Sequence, residues 1–117
     1  MDESVAVKAL RELADVLAAT APRLDELVHR ARTLADQVES GTAWRDAVAE
    51  EERPLIVERL TEIIDMLAGY GSAFRRAEAR VLNRQGLSQE RIAALFGVTR
   101  QRVGALLAEE PSRRRAS

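Results

Sequence analysis

The apolar residues of this chain recur at intervals of three and four. Leu24, Leu27, Val28, Ala31, Leu34, Ala35 and Val38 repeat every seven residues, with three apolar positions per repeat. That spacing follows one side of an α-helix and not the alternation of a strand. The stripe is wider than a bare two-stranded seam, so it predicts a helix in a bundle. Ala6, Leu10, Leu13, Ala14 and Leu17 predict another helix over 4–19 by the same rule. Aromatics are 3% of the residues and no stretch alternates apolar and polar, so the expected class is all-α.

Punctuation then sets the expected boundaries. Ala19-Thr20-Ala21-Pro22 reads as a break, with Thr20 capping a helix over 22–39 and Pro22 in its first turn. So short a connection makes the first two helices an antiparallel hairpin. Gly41 is a stop signal. Residues 42–52 predict a short helix with Trp44, Ala47 and Val48 inward, Trp44 acting as a packing anchor. Pro54 opens a further helix, and the acids Glu50, Glu51 and Glu52 before it suit its positive end. Its expected buried face is Leu55, Ile56, Leu60, Ile63, Ile64 and Leu67. Gly69-Tyr70-Gly71 leaves two arrangements open. One is a single bent helix over 54–85. The other is a break, with Ser72 capping a renewed helix over 73–84 that turns Phe74, Ala77, Val81 and Leu82 inward.

Composition removes several functions. The 117 residues suit one domain, or a small domain with a helical appendage. There is no cysteine, which excludes disulfides, zinc-thiolate sites, iron–sulfur clusters and a thiol nucleophile. The one histidine, His29, excludes a multi-histidine metal site and reads as a surface or interface residue. Glu50, Glu51 and Glu52 have no constellation around them and read as a solvated helix start. Gly69-Tyr70-Gly71 lacks the lysine and strand context of a phosphate-binding loop. The expectation is a protein that is not an enzyme and needs no cofactor. No apolar run reaches the ~20 residues of a membrane span, and Met1-Asp2-Glu3 does not start a signal peptide. The expected location is therefore cytoplasmic. Seventeen of the eighteen basic residues are arginine, a bias that resembles a high-GC bacterial genome.

Charge is unevenly spread. Residues 1–70 carry 8 basic and 15 acidic groups, a net of −7. Residues 71–117 carry 10 arginines and 4 glutamates, a net of +6. A basic C-terminal part beside an acidic N-terminal part suggests two jobs, the basic one suited to a polyanion.

Within the basic part, residues 86–108 carry the most information. Gly86 ends the preceding helix. Ser88 caps a short one carrying Ile92, Ala93, Leu95 and Phe96. Gly97 fits a tight turn, Val98 is expected to plug it from below, and Thr99 caps a helix with Val103, Leu106 and Leu107 inward. Ile92, Phe96, Val98, Val103 and Leu106 should close a core between two steeply crossing helices. This segment resembles a DNA-binding helix-turn-helix. Within that class it is most similar to the C-terminal promoter-reading domain of bacterial sigma factors. The shared residues are Leu87-Ser88, Ile92-Ala93, Phe96 and Gly97-Val98-Thr99-Arg100-Gln101-Arg102-Val103. About 23 residues resemble it strongly, and residues 1–70 do not.

The resemblance implies a recognition helix over 99–108, lying in the major groove with its N-terminal end toward the bases. Thr99, Arg100, Gln101, Gly104 and Ala105 would then face the bases, Gln101 suited to adenine, Arg100 to guanine and Ala105 to a thymine methyl. Arg102 would reach phosphate or stabilise the turn. Ser88, Gln89 and Arg91 would hold the backbone. Arg76, Arg80 and Arg84, four apart, read either as a phosphate-facing stripe or as an ordinary exposed face. Arg113, Arg114 and Arg115 read as DNA contacts or as a solubilising tail.

The expected organisation is an acidic helical dimerisation or interaction region over 1–70, a helix-turn-helix domain over 72–108, and a disordered basic tail over 109–117 after the stop at Pro111. The expected function is a sequence-specific DNA-binding transcriptional regulator, or a small chromosome-associated protein, acting as a homodimer on double-stranded DNA. The alternative is a helical protein-binding adaptor, such as a sigma-factor or polymerase accessory protein or an antitoxin. Any small-molecule effector stays unassigned.

Overall fold

A computed structural model describes residues 2–108. Its elements are five helices: α1 (Asp2–Glu39), α2 (Trp44–Ala49), α3 (Ile56–Arg84), α4 (Gln89–Phe96) and α5 (Arg100–Ala108). No strand occurs among the described residues, so the class is all-α. The tail over 109–117, with the stop at Pro111 and Arg113, Arg114 and Arg115, lies outside the described residues.

The first expected break is not there: α1 runs on through Pro22. Proline removes the N–H that the Ala18 carbonyl would accept, and costs about 3 kcal/mol inside a helix. The packed side of the helix continues across it: Leu13 and Val16 before the proline and Leu34 after it are half-buried, and Thr20 and Leu27 are buried. Thr20 is not a cap. It is buried, and its Oγ1 donates to the Val16 carbonyl at 2.6 Å. α1 then ends at Gly41 as expected. Gly41 has φ +110°, the Gly41 N–H donates to the Val38 carbonyl, and the Thr42 N–H donates to the Gln37 carbonyl.

The two readings of 54–85 resolve in favour of one helix, α3, which passes through Gly69-Tyr70-Gly71 without a break. Ile63, Tyr70 and Ala77 stay in phase across the glycines, so the apolar stripe is continuous. Pro54 does not open the helix directly. Its start is held by two carboxylates: Ile56 N–H donates to Glu51 Oε1 at 2.7 Å, and Leu55 N–H donates to Glu58 Oε1 at 2.9 Å.

The chain divides into two compact units, Met1–Ala14 with Ala68–Ser117, and Asp15–Leu67. This grouping differs from a division near residue 70, since the first turns of α1 go with the C-terminal part.

The mid-chain unit, Asp15–Leu67, is acidic, with 6 arginines against 12 carboxylates. Its buried side chains are Thr20, Leu27, Ala47 and Ile63. Arg30 ties α1 to the connection ahead of α3. Its Nη2 donates to Glu51 Oε1 at 3.2 Å and to the carbonyls of Glu52 at 2.8 Å and Pro54 at 3.0 Å. Arg59 of α3 lines a groove with Arg23, Glu26 and Leu27, on the N-terminal side of Arg30, so α3 returns antiparallel to α1. Three expectations fail here. Trp44 is 64% exposed and is not a packing anchor, Val48 is exposed, and Leu60 and Ile64 are exposed rather than inward. The reason is common to all three: two helices and one short helix have too few walls to cover every apolar side chain.

In the other unit, Ala79, Ile92, Ala93, Val103 and Leu106 form a closed core, with Leu82, Leu87, Phe96 and Leu107 packed against it. α3, α4 and α5 each supply part of it, so each helix is covered by the other two.

Candidate nucleic-acid interface

The local geometry over 86–108 follows from a few residues. Ser88 is extended and its Oγ accepts the Arg91 N–H at 3.2 Å, starting α4. Gly97 ends α4 in the left-handed region, at φ +68° and ψ +33°, which a side chain would strain. The Val98 N–H donates to the Ala93 carbonyl at 3.1 Å, which tightens the turn. Thr99 Oγ1 accepts the Arg102 N–H at 3.1 Å and starts α5. Ile92 and Val103 are fully buried and Leu106 nearly so. Val98 does not plug the turn: it is 41% exposed, because its side chain leaves the core side once Gly97 turns the backbone. Leu95 is also exposed.

At about 100° per residue, Val103 and Leu106 turn inward and Gln101, Ala105 and Ala108 turn outward on α5. Arg100 and Gly104 lie on one flank, toward the start of α4, and Arg102 on the other. Two contacts fix that flank. Arg100 Nη1 is 3.7 Å from Glu90 Oε1, and a Cβ added at Gly104 would lie 3.6 Å from Gln89 Oε1. Ser88, Arg91, Thr99, Arg100, Gln101, Arg102 and Ala105 are exposed, while Gln89 and Gly104 are half-buried against each other. That is an ordinary contact distance, so the approach of α5 to Gln89 does not require a glycine at 104. No acid lies in the first turn of α5.

Sequence reasoning missed Glu90. It sits in the first turn of α4, beside Arg100, and places a carboxylate at the edge of an otherwise basic surface. Its offset from Arg100 is ten positions, so no helix-face rule brings the two together. The stripe of Arg76, Arg80 and Arg84 is not one exposed face: Arg76 is buried, Arg80 half-buried and Arg84 exposed. Arg76 is 5% exposed, and Arg76 and Arg80 line a groove with Asp2, Val5 and Glu12 of α1. Arg84 pairs with Asp2, and Gln85 Nε2 donates to Glu3 Oε1 at 2.7 Å. The acids at the start of α1 occupy that face. Arg75 lies over the Phe96 ring, 4.0 Å from its centroid, and so braces α3 against α4.

Among the described residues no cluster of three metal-ligating side chains occurs, and no helix is long and apolar enough to cross a membrane. Glu51 is engaged by Arg30 and by the start of α3. Comparison with protein-family models, with curated proteins and with solved structures found no match.

Proposed function

We propose that this protein is a sequence-specific DNA-binding regulator that reads the duplex through α5, with α4 holding the backbone, and that it works as a homodimer. One observation carries the reading. The first turn of α5 presents Arg100, Gln101 and Arg102 to solvent, above a core closed by Val103 and Leu106 and free of acids in that turn. Such a turn offers donors for base edges and cations for phosphates at the positive end of a helix. The net +6 of residues 71–117 supports it. A single short helix touches few base pairs, so two copies reading half-sites about 34 Å apart supply the affinity. Regulation of transcription or local chromosome organisation are the activities that follow.

Fluorescence anisotropy with duplexes of about three helical turns, across a salt series, tests this. The expected result is binding that weakens steeply with salt and that Arg100→Ala/Gln101→Ala abolishes. Glu90→Gln should bind severalfold more tightly at low salt, because it removes the carboxylate beside Arg100. Absence of binding by folded wild-type protein at low salt overturns the reading.

A second reading, a protein-binding adaptor, draws on Leu95 and Val98, which leave apolar surface exposed beside the turn. Binding through such surface would change little with salt.

A further inference from the structure

On the two long helices of the mid-chain unit, six large apolar side chains are between 40% and 71% exposed: Leu17, Leu24 and Val28 on α1, and Val57, Leu60 and Ile64 on α3. Beside them Thr20, Leu27 and Ile63 are buried. On each helix the exposed stripe lies roughly a quarter turn from the buried one, in the same rotational sense, at about 100° per residue. In an antiparallel pair, stripes turned in the same sense emerge on the same face. The hairpin therefore carries one continuous uncovered apolar face.

We propose that this face pairs with the same face of a second copy of the chain, the two α1 helices running antiparallel across a two-fold axis near residue 29. The α1 stripe itself names the occupant. Within the unit it reads Leu17, Ala21, Leu24, Val28, Ala31, Ala35, Val38, in steps of four and three with no charge among them. Reversed on itself about that axis, it sets Leu24 opposite Ala35, Val28 opposite Ala31, and Val38 opposite Ala21. Each of these three layers matches a larger side chain with an alanine, which keeps the helix spacing even, while Leu17 lies beyond the overlap of the two helices. On the flank of the same stripe, Asp25 lies about 3 Å along the axis from Arg32 of the other copy, within reach of an ion pair and twice by symmetry. Parallel alignment loses both features, stacking Leu24 on Leu24, Ala31 on Ala31 and Asp25 on Asp25. An unrelated partner gives no reason for the stripe to be its own complement. Two copies so paired make a four-helix arrangement whose centre is the face each copy leaves open.

This pairing rests on the homodimer part of the proposal above, and its test uses the full chain without DNA. The absence of native cysteine makes single-cysteine variants clean. The expected mass by sedimentation is twice 13.0 kDa. With a short thiol cross-linker, Leu24→Cys and Ala35→Cys should join when mixed and not when either is alone, since like positions then lie about 16 Å apart along the axis. Leu24→Glu/Leu60→Glu should weaken self-association at least ten-fold while keeping the helical circular dichroism. A monomer at tens of micromolar, a different protein occupying the face in place of a second copy, or Leu24→Cys cross-linking to itself and not to Ala35→Cys, overturns the pairing. A monomer that still binds duplex overturns the pairing alone. A dimer indifferent to duplex overturns the DNA reading alone.

Discussion

The α3–α4–α5 core and the mid-chain hairpin use the same kinds of residue with opposite outcomes. Around α4 and α5, three short stretches of helix enclose one another, and Ile92, Val103 and Leu106 vanish from solvent. In the hairpin each long helix has one neighbour of its own length, and six large apolar side chains stay out. A helix with two neighbours can bury a wide stripe, and a helix with one can bury only half of it. The number of neighbours, more than hydrophobicity, separates the two regions.

That comparison can be broken by substitution. The largest effect should come from Ile92→Ala, which opens a cavity in the closed core and costs about 3 kcal/mol in chemical denaturation. Leu60→Ala, measured where the chain is monomeric, should cost about 0.5 kcal/mol or less. Equal costs would mean that the hairpin face is already covered within one chain. Next, Arg30→Ala should cost roughly 2 kcal/mol, because it removes the cation from the nearly buried Glu51 carboxylate, leaving it the Ile56 N–H, and takes a donor from two carbonyls. A cost near zero would show that the hairpin is held by its apolar contacts alone. The smallest effect runs the other way. Gly104→Ala meets Gln89 at an ordinary contact distance, and should raise stability by about 0.5–1 kcal/mol. If it also leaves duplex binding unchanged, the glycine is needed neither for the packing of α5 on α4 nor for a close approach to DNA.

Local signals in the sequence were read well where they act locally. The caps at Ser88 and Thr99, the left-handed turn at Gly97, and the inward set Ile92, Ala93, Val103 and Leu106 all depend on residues within a few positions. The positions of Arg100, Gln101 and Arg102 on the first turn of α5 were legible for the same reason. Pro22 misled because a local breaker is judged by its own cost, whereas α1 packs on both sides of it through Thr20 and Leu27. Arg76 and Arg84 misled because their surroundings lie at the start of α1, some seventy to eighty residues away in sequence. Val57, Leu60 and Ile64 have the spacing of a buried face, and spacing alone does not say whether the covering surface belongs to the same chain.

The acidity of the mid-chain hairpin has a consequence for when the protein can act. In the proposed pairing two mid-chain units, each with a net of −6, come face to face, so it is opposed by like charge that dissolved ions relieve. The basic surface of α4 and α5 loses its hold on a polyanion under the same ions. In the proposed paired reader, assembly and grip therefore respond to ionic strength with opposite slopes, so salt added to weaken the hold on a duplex would at the same time favour the pairing.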